Sequence, residues 1–77
     1  MSEEIVDARN LLCPMPVIKI QNAVLKAEAG QKISIMCTDP GVKNDIPAWC
    51  RINGHNIESI KESGSIITII VEVCNHS

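Results

Sequence analysis

Four cysteines, Cys13, Cys37, Cys50 and Cys74, carry most of the chemistry open to this 77-residue chain. Three uses compete for them. A disulfide scaffold needs an oxidising compartment. A zinc site brings its ligands in close pairs such as C-x-x-C, and these four are widely separated. The remaining uses are burial as small hydrophobes and thiol chemistry at one selected sulfur. His55 and His76 add no metal-ligand constellation, so neither a metal nor another cofactor is expected.

Cys13 differs from the other three in its surroundings, Leu12-Cys13-Pro14-Met15-Pro16. The spacing predicts a junction between a strand and a helix, with Cys13 at the N-cap and Pro14 at the first helical position, where a missing N–H costs nothing. A thiolate at a helix N-terminus meets the positive end of the helix dipole and free backbone N–H groups, and both lower its pKa. Pro16 removes a further donor, which leaves the N–H groups of Met15 and Val17 nearest. The reading is of a stiff, exposed first turn that presents Cys13.

The other thiols read differently. Cys37 ends a strand at the sheet edge where the loop of Cys13 also falls, but its phase with Ile33 and Ile35 points it into the core. Cys50 lies on the apolar face of a helix. Cys74 ends an antiparallel strand at the opposite edge, too far for a bridge to Cys13, and Cys50 and Cys74 are both read as space-filling. Arg9 and Lys19 flank Cys13 in sequence and serve either as solvated surface charges or to steady a thiolate and attract an acidic partner. Asp39 and Asp45 read as helix caps, Asp39 at the crevice edge. His55 follows Gly54 and reads as a local cap or pairing group.

The elements that must position these residues follow from hydrophobic periodicity. Ile5 to Ala8 reads as a strand. Val17 to Ala27 is helical, with Val17, Ile20, Val24 and Ala27 on one side, Lys19, Asn22 and Lys26 on the other, and Gly30 as the stop. Lys32 to Thr38 alternates as a strand. A second helix ends near Asn53-Gly54. Pro47 leaves its start open between Pro40, capped by Asp39, and a fresh start with Asp45 as N-cap, and the fresh start is preferred. Ile46, Trp49, Cys50 and Asn53 then share a face. Asn56 to Lys61 and Ile66 to Cys74 are strands joined by a turn at Ser63-Gly64-Ser65. The order β-α-β-α-β-β, with right-handed crossovers, predicts a two-layer α/β sandwich: a mixed four-stranded sheet with two helices on one face.

The remaining numbers narrow the class. The length allows one domain, residues 1–77, with a thin core. Apolar residues at 45% make it globular. No apolar run reaches the ~20 residues of a membrane helix, and the acidic start Met1-Ser2-Glu3-Glu4 is unlike a secretory signal, so a cytoplasmic, reducing setting is expected. Nine acids against seven bases, and Trp49 as the sole aromatic, argue against direct nucleic-acid binding. No membrane partner is expected, and the chain reads as a monomer.

The stretch Asp7-Ala8-Arg9-Asn10-Leu11-Leu12-Cys13-Pro14-Met15-Pro16 resembles the signature of the TusA/SirA-like sulfur-carrier family: an Asp, then Gly-Leu, then Cys-Pro-x-Pro opening the first helix. A second stretch is similar too: Asp39-Pro40, then Asp45-Ile46-Pro47-Ala48-Trp49-Cys50, then Gly54-His55. The resemblance spans nearly the whole chain. It implies a sulfurtransferase that holds sulfur as a persulfide on Cys13, with Asp7, Asn10, Pro14 and Pro16 shaping the site. It implies a cysteine desulfurase or rhodanese-like donor and a downstream sulfur-acceptor protein, in tRNA thiolation or sulfur oxidation. It also implies the strand order one-two-four-three. Three positions depart from the family. Asn10 replaces glycine, which a left-handed turn tolerates. Leu12 stands where a basic residue is frequent, and Met15 where a carboxylate is frequent. Leu12 and Met15 form either an apolar docking spot or two ordinary exposed side chains. A regulatory, redox-sensing binding module remains the alternative. An RNA-binding domain rests on fold analogy alone.

Overall fold

The computed structural model describes residues 3–12 and 14–74. Cys13 and the tail 75–77, with His76, lie outside the described residues. The elements run β1 (Glu3–Ala8), α1 (Met15–Lys26), β2 (Lys32–Cys37), α2 (Val42–Asn53), β3 (Asn56–Ser63) and β4 (Ile66–Glu72). They form the expected β-α-β-α-β-β sandwich, with sheet order β1-β2-β4-β3. β1 pairs parallel to β2, in register from Glu3 opposite Lys32 to Ala8 opposite Cys37. β4 runs antiparallel to both β2 and β3.

Strand alternation sorts the sheet into two faces. Ala8, Ile33, Ile35, Cys37, Ile67, Ile69, Val71 and Val73 are all buried on the helix side. Ile20, Ala23 and Val24 of α1 and Val42, Ile46 and Cys50 of α2 close the core from above. Ser34, Met36, Thr68 and Ile70 lie between them in phase, and are only partly covered on the open face.

Every strand differs from the sequence reading by one or two residues at one end, and the helix boundaries differ more consequentially. α1 begins at Met15, with Pro14 as the N-cap (φ −97°, ψ 15°) rather than as the first helical residue. The Met15 N–H donates to the Leu12 carbonyl at 2.9 Å, and this turn displaces the helix start by one residue. Pro16 is fully buried, so this proline anchors the helix entrance in the core as well as stiffening it. At the other end α1 stops at Lys26, before Gly30. Gly30, at φ +93°, instead turns the chain into β2 and donates its N–H to the Val73 carbonyl.

The preferred fresh start of α2 at Asp45 is incorrect. The helix begins at Val42 and carries Pro47 inside it. Asp39 Oδ1 accepts the Gly41 N–H at 3.0 Å, and the Val42 and Lys43 N–H groups donate to the carbonyls of Asp39 and Pro40. Helical bonding is therefore established before the proline is reached. Pro47 forfeits only the bond to the Lys43 carbonyl, on an exposed stretch where water can serve. Val42, Ile46 and Cys50, four residues apart and all buried, supply the packing that carries the helix through. Gly54 ends it in the left-handed conformation that glycine adopts freely, with the His55 N–H donating to the Cys50 carbonyl.

Candidate functional site

Parallel pairing of β1 with β2 places the loops after Ala8 and after Cys37 side by side at one sheet edge, where α/β sheets form their crevices. The loop that leads to Cys13 is fixed at successive residues. Asp7 and Arg9 form a two-pronged pair, Nε to Oδ1 at 2.9 Å and Nη2 to Oδ2 at 3.0 Å, and the Arg9 N–H donates to Asp7 Oδ1. Asn10 is the one non-glycine residue with positive φ among those described, at 65°, so it supplies the turn for which the family uses glycine. Its N–H donates to Thr38 Oγ1 at 2.9 Å, which ties this loop to the one after β2. Leu11 packs against the core, and Pro16 is buried within it. Leu12, 75% exposed, and Pro14 face solvent between these anchors. The residues on either side of Cys13 in sequence thus form a held, outward-facing platform.

The electrostatics distinguish the residues around it. Asp7 is held down to about 2, first by the Arg9 side-chain and backbone hydrogen bonds, with Lys19 adding a smaller favourable charge. The Arg9 guanidinium is correspondingly committed to Asp7. Lys19 and Met15 are both exposed on the first turns of α1. Asp39 is partly buried, with one carboxylate oxygen engaged by Gly41. The Met15 N–H, read from sequence as a donor near the thiolate, is used by Leu12.

The other thiols divide. Cys37 and Cys50 are buried, and desolvation pushes each thiol up to about 11, helped by the charge of Asp39 at Cys37 and of Cys74 at Cys50. Cys74 is exposed, against the space-filling reading, because β4 ends at Glu72 and the residue faces away from the core; its thiol donates to the Glu72 carbonyl at 3.4 Å. At that far edge His55 is buried, stacks on Trp49 with ring centroids 5.5 Å apart, and accepts the Cys74 N–H at Nδ1. His55 thus pairs locally, as its place after Gly54 suggests. Thr38 was missed from sequence; its signal is its position directly after a strand parallel to β1, opposite a residue forced to positive φ.

A βαβαββ sandwich whose first helix is entered through Cys-Pro-x-Pro, on a loop pinned to the next strand, defines a class of small single-sheet thiol-bearing proteins. Residues 4–73 match the family described as sulfurtransferase TusA, and the chain belongs to that family. The sulfur carrier protein TusA of Pseudomonas aeruginosa is 35% identical over 66 residues, 84% of each chain. YrkI of Bacillus subtilis is 34% identical over 71 residues, 92% of this chain and 95% of its own. The crystal structure of a SirA-like protein from Desulfitobacterium hafniense shares the fold, with a TM-score of 0.81 over 96% of this chain and all of that one, at 19% identity. The chain is thus a member of a sulfur-carrier family, and such a role requires a sulfur donor and a sulfur acceptor. Among the described residues no helix is long and apolar enough to cross a membrane.

Proposed function

We propose that the protein carries sulfur as a persulfide on Cys13 and relays it between partner proteins in the cytoplasm, towards tRNA thiolation or a sulfur-oxidising route. The reading is carried by one observation: Cys13 is the cysteine of a Cys-Pro-x-Pro helix entrance whose flanking residues are held outward, in a chain of the TusA family. The Cys13 thiolate attacks the outer sulfur of a donor persulfide. A new S–S bond forms on Cys13, the donor's S–S bond breaks, and the donor leaves as a thiolate that takes up the proton Cys13 gave up. No net oxidation occurs, so no cofactor is required. Delivery is the same exchange, with the acceptor thiolate attacking the sulfur held on Cys13. Pro14, Pro16, Asp7 and Asn10 shape the loop; Arg9, Leu12, Met15, Lys19 and Asp39 lie where a partner would touch.

The test is sulfur loading. The protein is incubated with a cysteine desulfurase and cysteine, and its intact mass is measured. One added sulfur, removed by reductant and absent in Cys13→Ser, is the expected result. Failure to load from desulfurase, rhodanese-type and small-molecule persulfide donors alike would refute the carrier reading in favour of a regulatory binding module.

A further inference from the structure

The loop that leads from β1 towards Cys13 makes several of its bonds within itself. The Arg9 N–H turns back to Asp7, and the Met15 N–H turns back to the Leu12 carbonyl. Leu11 packs against the core, but apolar packing is non-directional. The Asn10 N–H instead crosses to a residue 28 positions further along the chain, where Thr38 Oγ1 accepts it at 2.9 Å. That bond fixes the plane of the peptide between Arg9 and Asn10. With Asn10 at φ 65°, this plane sets the direction in which the chain leaves towards Cys13.

The sheet explains why Thr38 can do this. Ala8 lies opposite Cys37 in a parallel register, so the residues that follow each strand emerge side by side. Thr38 comes directly after Cys37, whose buried side chain holds the end of β2 in the core. The acceptor is therefore carried on a rigid element, and the donor sits on the loop. The bond lies near solvent, so water can serve the Asn10 N–H when the hydroxyl is removed, and the fold loses little. What is lost is direction. Three residues of chain span at most about 11 Å, so a tilt of about 10° at Asn10 moves the far end by about 2 Å. A misplacement of about 1 Å can slow a step between positioned groups by up to about a hundredfold.

We propose that Thr38 is a positioning residue for sulfur transfer: its hydroxyl oxygen, by accepting the Asn10 N–H, aims the loop of Cys13 at the sulfur of a docked protein. The proposal rests on the sulfur-carrier reading and deepens it. A protein donor arrives with its persulfide fixed by the docking, so the direction of the Cys13 thiol sets the transfer rate. A small persulfide meets the thiol in whatever direction it points, so its rate does not depend on the bond.

Thr38→Val keeps the β-branched shape and removes the acceptor, while Thr38→Ser keeps the acceptor and loses only the methyl group. Circular dichroism checks the fold of each. Loading from a cysteine desulfurase, and in parallel from a rhodanese-type donor, is measured against carrier concentration, with glutathione persulfide as a small donor for comparison. With a protein donor, Thr38→Val should lower kcat about tenfold and leave KM within about twofold of the parent. Its loading by glutathione persulfide, and every constant of Thr38→Ser, should stay within about twofold of the parent. Thr38→Ala also lacks the acceptor and carries the same expectation should the valine variant fail to fold. A parent-like kcat for Thr38→Val with both protein donors would overturn the proposal and leave the carrier reading intact. A Thr38→Ser variant as slow as Thr38→Val would do the same, because the hydroxyl would then not be what matters. So would an equal loss with glutathione persulfide, which would place the effect on the thiol or the fold rather than on its aim. Loading of the parent by glutathione persulfide alone would likewise overturn it. No loading of the parent from any donor would end both.

Discussion

Raising the pH should destabilise this protein through two thiols that its core keeps protonated. Cys37 and Cys50 titrate near 9 when free and are pushed up to about 11 by burial. Between those values the unfolded chain releases protons that the folded chain retains. Stability is therefore fully present below about pH 9 and lost as pH climbs towards about 11. At pH 10 the difference is about 1.4 kcal/mol for each thiol and ~2.7 kcal/mol for both, an order-of-magnitude figure. For a domain of this size that corresponds to a fall in Tm on the order of 10 °C or more. The background is low: the chain has no tyrosine, and its lysine ion pairs to Glu58 and Glu62 are exposed and contribute little. The assay is urea denaturation at about pH 7.5 and about pH 10 with a phosphine reductant, for the parent and for Cys37→Ala and Cys50→Ala. Each variant loses packing at both pH values, so only its pH difference is read, and that difference should be about half the parent's. A parent equally stable at both pH values, or variants that keep its full loss, would refute the reasoning.

Three further outcomes are expected. Alkylation of the native protein at neutral pH should modify Cys74 promptly, while Cys37 and Cys50 react only when urea opens the core; peptide mass mapping reads this directly. Carboxyl NMR should show Asp7 ionised down to about pH 2, and Arg9→Gln should return it towards the ordinary carboxylate range. Its depressed pKa means that any contribution from the pair exists above the ordinary range and fades as pH falls through about 2. Asn10→Ala should cost about 1 kcal/mol in urea denaturation and Asn10→Gly less than half that, because only the alanine is strained at φ 65°.

The elements that follow one clean period were legible in the sequence. Ile33-Ile35-Cys37 and Ile67-Ile69-Val71-Val73 alternate without interruption, and every one of these residues is buried as the alternation requires. Prolines and helix ends were not so legible, because tertiary context decides them. Pro47 reads as a breaker, yet the Asp39–Gly41 bond and the Val42-Ile46-Cys50 row start the helix before it and hold it beyond. Pro16 reads as an exposed stiffener, and it is core. The left-handed turn at Asn10 was legible only through the resemblance, which has glycine at this position, and a short amide side chain tolerates the same backbone. The Thr38 bond to the Asn10 N–H needed the β1–β2 register, which periodicity does not give.

The distribution of thiols bears on how one sulfur could be handled without side reactions. A persulfide is attacked by thiolates, and an internal thiolate within reach would divert the cargo into a disulfide. Cys37 ends β2 at the sheet edge where the chain also leaves β1 after Ala8, which makes it the internal thiol to consider first. Its burial removes the hazard twice over. No path leads to a sulfur with no exposed surface, and with a pKa of about 11 only about one molecule in ten thousand carries the thiolate at pH 7. Cys50 is silenced in the same way, and exposed Cys74 stands at the opposite edge of the sheet. The same desolvation that makes the fold sensitive to alkali therefore keeps the two core thiols inert at neutral pH. A Cys37→Ser variant should load and deliver sulfur like the parent, and slowed delivery from it would instead make Cys37 a participant.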